Sequence, residues 1–232
     1  MRLQQTLAYE YEKENIAYWT NRAPGYSEVN RQELRSGQRG VWGRTLAEAI
    51  ADHYPGRKRQ DIAVLDIGTG PGFFAIILAE MGFAVTAVDY TDSMLDKARA
   101  NAGKWRDQIC FRKMNAEELT FAPESFDVIV SRNLTWNLHD PKKAYQSWER
   151  VLKSGGLLLN FDANWYRYLY DEKAMEGYCR DRENIKAAGV ANETDGTDIP
   201  AMEAIAGKAP LSAVCRPGWD IDVLEGLGMS VK

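Results

Sequence analysis

Val64-Leu65-Asp66-Ile67-Gly68-Thr69-Gly70-Pro71-Gly72 is the stretch that decides the fold. The apolar run from Ile62 to Ile67 suits a strand buried on both faces of a parallel sheet. Glycines then alternate through a turn, and the apolar run Phe73–Ala79 begins a helix that ends near Gly82. A tight turn of this kind needs residues that tolerate unusual φ and ψ. The helix that follows starts with backbone N–H groups that have no partner of their own. Together they make a place where a ligand can touch bare backbone. A glycine-rich loop alone is weak evidence, so its details matter. A phosphate-binding Walker loop is excluded, because no Gly-Lys-Ser/Thr follows. The dinucleotide pattern G-x-G-x-x-G/A is disfavoured, because its third position is Phe73. Asp89, about twenty residues on, ends the next strand, where an acid can accept hydrogen bonds from both ribose hydroxyls.

Outward from this loop the chain alternates. Ala84–Asp89 reads as a second strand, Gln108–Met114 as a third, Phe126–Ser131 as a fourth and Leu157–Asp162 as a fifth. Helices are expected over Thr91–Ala102 and from Pro141 to about Lys153. This order predicts an α/β fold, a doubly wound and mostly parallel sheet with right-handed crossovers. Two helical stretches precede it, residues 1–20 and 30–54, separated by a turn at Pro24-Gly25. Gly37, Gly40 and Gly43 interrupt the second, which points to close helix packing or a break between two helices. Residues 163–216 leave the alternation. They open with Trp165, Tyr166, Tyr168 and Tyr170 and then turn polar, as expected of a largely helical insertion over the carboxyl edge that sets acceptor choice. A last helix is expected over Pro217–Leu227, and Met229–Lys232 resembles the start of a strand.

The whole is expected to be one domain of 232 residues: a helical lid over 1–58, a cofactor-binding core over 61–162, a cap over 163–216 and a return to the sheet over 217–232. With 45% hydrophobic residues the chain is globular. A net charge of -4 argues against nucleic acid as a partner. Arg57-Lys58-Arg59 is the one compact basic cluster, and a solvated turn accounts for it. The three cysteines have no zinc-ligand spacing, so no metal is expected, and Cys110 reads as a buried small hydrophobe. The N-terminus lacks the apolar core of a signal peptide, and no apolar run is long enough to span a bilayer. These features predict a cytoplasmic protein with no membrane association. Nothing in the sequence sets the oligomeric state.

The ordered set of motifs resembles the class I S-adenosylmethionine-dependent methyltransferase family, which has a Rossmann-like fold. VLDIGTGPG (64–72) looks like its first motif and AVDYTDSMLDKA (87–98) like the segment after it. NAEELTFAPESFDVIVSRN (115–133) is similar to its third and fourth motifs, and RVLKSGGLLLNFD (150–162) to its fifth. The resemblance runs continuously from about Asp61 to Asp162. It implies a seven-stranded sheet, S-adenosylmethionine as cofactor and S-adenosylhomocysteine as product. It assigns Gly68, Thr69 and Gly70 to the cofactor loop, and Asp66 to the methionine amino end. Asp89 would take the ribose, Tyr90 and Met94 the adenine face, Asn115 and Ala116 the adenine edge, and Asn133 the methionine portion. Tyr18, Trp19, Arg22 and Tyr26 resemble the family's cofactor-covering segment, with Tyr26 the preferred contact because it follows the Pro-Gly turn.

The chemistry this implies is in-line methyl transfer to a small-molecule acceptor, driven mainly by proximity and orientation. The candidates for handling the acceptor lie in Ser131–Asp140: Asn133, Asn137 and His139. His139 would suit a base near neutral pH, although Asp140-Pro141 makes it equally a residue at the start of a helix. Asp162 and Asn164 end the fifth strand at the same edge. The Asn/Asp-Pro-Pro-Tyr signature of many N-methylating members is absent. The alternatives are an RNA methyltransferase, a nicotinamide oxidoreductase, or a cofactor-binding protein without catalysis. Finally, the four residues after Gly228 cannot supply the family's two last strands. The chain is therefore expected to be shortened there, or to borrow a strand from a partner molecule.

Overall fold

The structure is a computed structural model that describes residues 2–188 and 197–232, with side chains from Tyr9 onward. The chain divides into two compact units. The sheet unit comprises Trp19–Leu134 and Lys143–Phe161, and the helical unit comprises the residues up to Tyr18, Thr135–Lys142 and Asp162–Lys232.

The sheet unit holds five strands: β1 (Ala63–Ile67), β2 (Ala84–Asp89), β3 (Ile109–Lys113), β4 (Phe126–Arg132) and β5 (Leu152–Phe161). All pair in parallel, in the order β3-β2-β1-β4-β5. The chain therefore runs outward from β1 in one direction through β2 and β3, and in the other through β4 and β5. Four strands fall within a residue of their expected limits. β5 begins five residues early: it pairs Leu152 with Phe126, bulges, and resumes with Leu157 opposite Val128. Gly155 (φ +69°) and Gly156 lie in that bulge, and a glycine pair reads in sequence as a turn. The described residues form five strands, not the seven that the resemblance implies. Among the described residues no strand follows β5, and Met229–Lys232 has no regular structure.

Two helices show why the sheet packs as it does. α3 (Phe73–Glu80) is apolar all round and buried from Phe73 to Ala79, so it lies within the core and not over its surface. α5 (Pro141–Val151) is two-faced. Its Ala144, Tyr145, Trp148 and Val151 recur at i, i+1, i+4 and i+7 and are fully buried, whereas Lys142 and Lys143 are exposed. The indole N–H of Trp148 donates to the Ala116 carbonyl at 2.8 Å, so the ring is buried without stranding its donor.

The N-terminal region departs from expectation. α1 is continuous from Arg2 to Arg35, with Pro24 inside it, where a turn was expected. A mid-helix proline costs about 3 kcal/mol through a lost hydrogen bond and a clash. Here that cost is offset by tertiary anchoring: Ala23, Ser27 and Asn30 are buried, and Ser27 hydrogen-bonds Asn101. The real break comes at Ser36, whose hydroxyl caps α2 (Gly37–His53) by accepting from the Gln38 N–H. Gly37 opens that helix, and Gly43 sits where an added Cβ would lie 3.7 Å from Ile77 of α3. The glycines thus mark both a helix break and a helix contact. α4 (Asp92–Ala102) packs on α3 through another glycine. A Cβ at Gly72 would come within 3.2 Å of Ala98, and its φ of +96° disfavours any side chain. Cys110 lies exposed on edge strand β3, contrary to the buried position expected; all three cysteines are exposed and unbridged.

The helical unit contains α6 (Glu172–Ala188), α7 (Ile199–Ala206) and α8 (Gly218–Gly226). The expectation of a helical insertion after the fifth strand is met where the chain is described; residues 189–196 lie outside the described residues.

At the amino end of the sheet, Asp127 organises the strand starts. Its carboxylate accepts from the Ala63 N–H at 2.8 Å, from Arg57 at 2.8 Å and from Lys153 at 2.9 Å. Burial alone would raise its pKa, but Lys153, the Ala63 N–H and Arg57 outweigh burial and hold it below the ordinary carboxylate value. Its contribution to stability is therefore present above the unfolded value of about 3.9 and lost as pH falls through the lower folded value. Asp127→Asn is expected to cost about 1.5–3 kcal/mol near pH 7 and progressively less toward pH 3, measured by urea unfolding across that range.

Candidate functional site

The loop between β1 and α3 is held by two carboxylates, one buried and one half-buried. Asp66, at the end of β1 and 2% exposed, accepts at one oxygen from the Thr69 hydroxyl at 2.6 Å and the Ala75 N–H at 3.0 Å. It thereby ties the loop to the first turn of α3. Asp89, ending β2, accepts from the Gly70 N–H at 2.9 Å and the Thr91 N–H at 2.9 Å. The Thr69 N–H donates to the Val88 carbonyl at 3.0 Å, which fastens the loop across to β2. Gly68 (φ +68°) and Gly70 (φ +52°) lie in the left-handed region. A Cβ at Gly68 would press within 2.7 Å of Leu134, and one at Gly70 would meet the Tyr26 ring at 3.5 Å. The bare backbone there has two physical causes, the conformation and the neighbours.

The two acids share an electrostatic character. Burial raises Asp66 to about 7, against the opposing bonds from Thr69 and Ala75, with the nearby Asp89 adding to the rise. Burial likewise raises Asp89 above its ordinary value, although backbone N–H groups of Thr91 and Gly70 oppose it. A ligand that brings hydroxyl donors or positive charge to this edge relieves both. S-adenosylmethionine has ribose hydroxyls, an ammonium and a sulfonium, so its chemistry fits this donor-poor, acid-rich cradle.

The remaining expected residues fall around the same edge of the sheet unit. Tyr90 follows Asp89 and is 36% exposed. Met94 is 2% exposed and already packed, so it offers a ligand less surface. Asn115 forms a turn by accepting from the Glu117 N–H at 2.8 Å, and the Ala116 carbonyl is engaged by Trp148. Asn133 adopts φ +56° where β4 ends, a conformation asparagine tolerates, and its N–H donates to the Phe161 carbonyl at 2.8 Å. The Tyr26 hydroxyl, on α1, hydrogen-bonds the Asn133 side chain.

Asn137 and His139 belong to the helical unit. Asn137 is buried; its amide pairs with Asn15 at 3.0 Å, and its carbonyl accepts from Tyr11 and Asn15. His139 is exposed, with its ring 5.7 Å from that of Tyr11. Both have structural work that the sequence did not disclose. Asp162 does too. It accepts from the Thr135 hydroxyl at 2.5 Å and the Trp136 N–H at 3.0 Å, and it pairs with Arg216 at 2.9 Å. Arg216 also pairs with Asp220, and Asn164 clamps the Arg216 backbone from both sides. Sequence reading missed Arg216. Its one local signal was Asp220 at i+4, since Asp162 lies far off in the chain.

The sheet unit resembles known proteins. A family model described as "Methyltransferase domain" matches residues 65–160, which run from β1 to β5. A ubiquinone biosynthesis O-methyltransferase of Coxiella burnetii is 32% identical over 109 residues, covering 46% of this chain and 47% of that protein. A demethylmenaquinone methyltransferase of Renibacterium salmoninarum is 32% identical over 146 residues, covering 63% and 57%. The chain spans about half the length of the curated relatives it matches. A Methanococcus maripaludis structure assigned as an S-adenosyl-L-methionine-dependent methyltransferase superposes with a TM-score of 0.52 at 22% identity. The match covers 77% of this chain and 82% of that one, a likeness of fold.

Asp66 gives a pH signature. A carboxyl raised in the folded state contributes stability that is fully present below its unfolded value and is lost as pH rises toward 7. Both of its bonds go to one oxygen, which an asparagine carbonyl can replace. Asp66→Asn is expected to remove this decline, so the variant gains stability relative to the parent between pH 5 and pH 8 in denaturant unfolding.

Proposed function

We propose that this chain, which carries a class I S-adenosylmethionine-dependent methyltransferase domain, transfers a methyl group from S-adenosylmethionine to a small-molecule acceptor. The observation that carries the reading is the glycine loop lying between the carboxylates of Asp66 and Asp89 at the carboxyl edge of a parallel sheet. When bound, the cofactor supplies a methyl group already activated by its sulfonium. The chain's own task is then to bind, orient and exclude water. Asp89 takes the ribose hydroxyls, with Gly68, Thr69 and Gly70 as the floor beneath the ligand and Asp66 as the pin of that floor. Tyr90, Met94, Asn115 and Ala116 frame the adenine, and Tyr26 with Asn133 covers the methionine end. No general base is required unless the acceptor must lose a proton. Of the candidates for meeting the acceptor, Asn133 has the strongest support, because it ends β4 in a left-handed conformation beside the loop. Asn137 has less, given its bonds to Asn15 and Tyr11, and so has His139, whose ring faces Tyr11.

A small molecule is favoured over RNA as acceptor because the one compact basic cluster is already spent. Arg57 is held by Asp127 and the Asp61 carbonyl, and Arg59 lies over the Phe83 ring. The names of the two relatives point the same way, toward acceptors of the size of quinone precursors. No helix among the described residues is long and apolar enough to cross a membrane, and we place the protein in the cytoplasm.

Isothermal titration is expected to show binding of S-adenosylmethionine and none of NAD. Asp89→Ala should weaken that binding by about 1.5–3 kcal/mol, the scale of hydrogen bonds to a charged group. Methyl transfer from labelled cofactor should then appear with a metabolite library and not with RNA. Equal binding by the parent and Asp89→Ala overturns the cofactor assignment, and transfer to RNA alone overturns the acceptor class.

A further inference from the structure

Arg132, adjacent to Asn133 at the end of β4, joins four elements of the sheet unit. Its guanidinium makes a two-bond pair with Glu33 of α1, Nη2 to Oε1 at 2.5 Å and Nη1 to Oε2 at 3.2 Å. It also lies over three aromatic rings: Phe73 at 4.6 Å, Trp42 of α2 at 5.2 Å and Phe74 at 5.9 Å. The pair is four-fifths buried, with side-chain exposures of 20% and 19%. Such a pair is worth more than a surface ion pair, because the planar fork is pre-organised and the rings shield it.

The position of Glu33 gives the pair its meaning. Glu33 follows Tyr26 by seven residues, two helical turns, so both side chains leave the same face of α1. Tyr26 lies over Gly70 and bonds Asn133, while Glu33 bonds Arg132. Two neighbouring residues of β4 therefore hold one face of α1 at two points. A third tie lies on the adjacent face: Ser27 bonds Asn101, whose amide also donates to the Pro71 carbonyl within the glycine loop at 3.0 Å. Pro24 sits one turn before these contacts, in a helix that has lost a backbone bond there, so the ties substitute for local rigidity.

We propose that Arg132 and Glu33 are positioning residues, a latch that fixes Tyr26 over the glycine loop and so sets how long the cofactor stays bound. This rests on the reading of that loop as the cofactor cradle. The latch acts on dissociation, since a cover must open before a ligand beneath it leaves.

The test is stopped-flow dissociation of S-adenosylhomocysteine from the full chain, followed by tryptophan fluorescence. Trp19, 5.7 Å from the Tyr26 ring, and Trp42, beneath Arg132, are natural reporters. Glu33→Gln and Arg132→Gln should each speed dissociation about tenfold. Their combination should be no faster than either alone, because the two act as a unit. Arg132→Lys, which keeps a cation over the rings and can keep a bond to Glu33, should stay within about threefold of the parent, a rescue that general loosening of the fold would not give. Single Gln variants within about twofold of the parent overturn the latch alone and leave the cofactor site standing. Accelerated Gln variants without rescue by Arg132→Lys also overturn it. A parent chain that does not bind S-adenosylhomocysteine overturns both the latch and the methyltransferase reading.

Discussion

The reversal of strand order around β1 is the constraint on which the structure depends. β2 lies on one side of β1 and β4 on the other, so the connections leave in opposite directions and part at the carboxyl edge. A parallel sheet built this way leaves a crevice at that point. The chain must cross it in a short loop, and glycine with a positive φ is what permits the turn. At its glycines the loop then lacks side chains to anchor itself. Asp66 and Asp89 supply the anchors, by accepting from Thr69, Ala75 and Gly70. A topological necessity thus produces a bare backbone surface flanked by two acids, and the same features that hold the loop are those a cofactor with hydroxyl and cationic groups can use.

Two buried aspartates at opposite ends of the sheet differ in how their charge is met. Asp127 and Asp66 are both buried aspartates that accept a backbone N–H. Asp127 has Lys153 and Arg57 beside it and titrates below the ordinary value. Asp66 has only neutral donors in contact and another carboxylate nearby, and burial carries it to about 7. Cations complete the first site, whereas at the second the nearby Arg132 only partly offsets burial. Perturbation of that kind is common where ligands bind.

Much of this was legible in the sequence because it is local. Strand lengths, the alternation of elements and the spacing from Gly68 to Asp89 are properties of neighbouring residues, and the Tyr145 and Trp148 face of α5 follows from helical period. What could not be read depends on distant partners. Pro24 signals a turn by its own chemistry, and only contacts to Asn101, Arg132 and Asn133 let the helix continue through it. Glu33 and Arg132 are 99 residues apart in the chain, so no periodicity links them. Gly155-Gly156 signals a turn, yet β5 runs through it as a bulge because Leu152 still finds Phe126. Cys110 was expected to be buried because apolar runs usually are, but β3 is an edge strand and its outer residues face solvent. The candidates for the acceptor side have partners that local pattern does not reveal. Asn137 and Asp162 have polar side chains at the right place in the sequence, and local pattern gives no sign that Asn15 and Arg216 would engage them.

The account turns on Asp89 exchanging one set of donors for another. In the structure its carboxylate holds the Gly70 N–H at 2.9 Å. A crystal structure of the complex with S-adenosylhomocysteine tests this most directly. The account predicts density for the ligand across Gly68–Gly70, with both ribose hydroxyls donating to Asp89 and the Tyr26 ring over the loop. A ligand bound elsewhere, or one lying on the loop with its ribose turned away from Asp89, would contradict it.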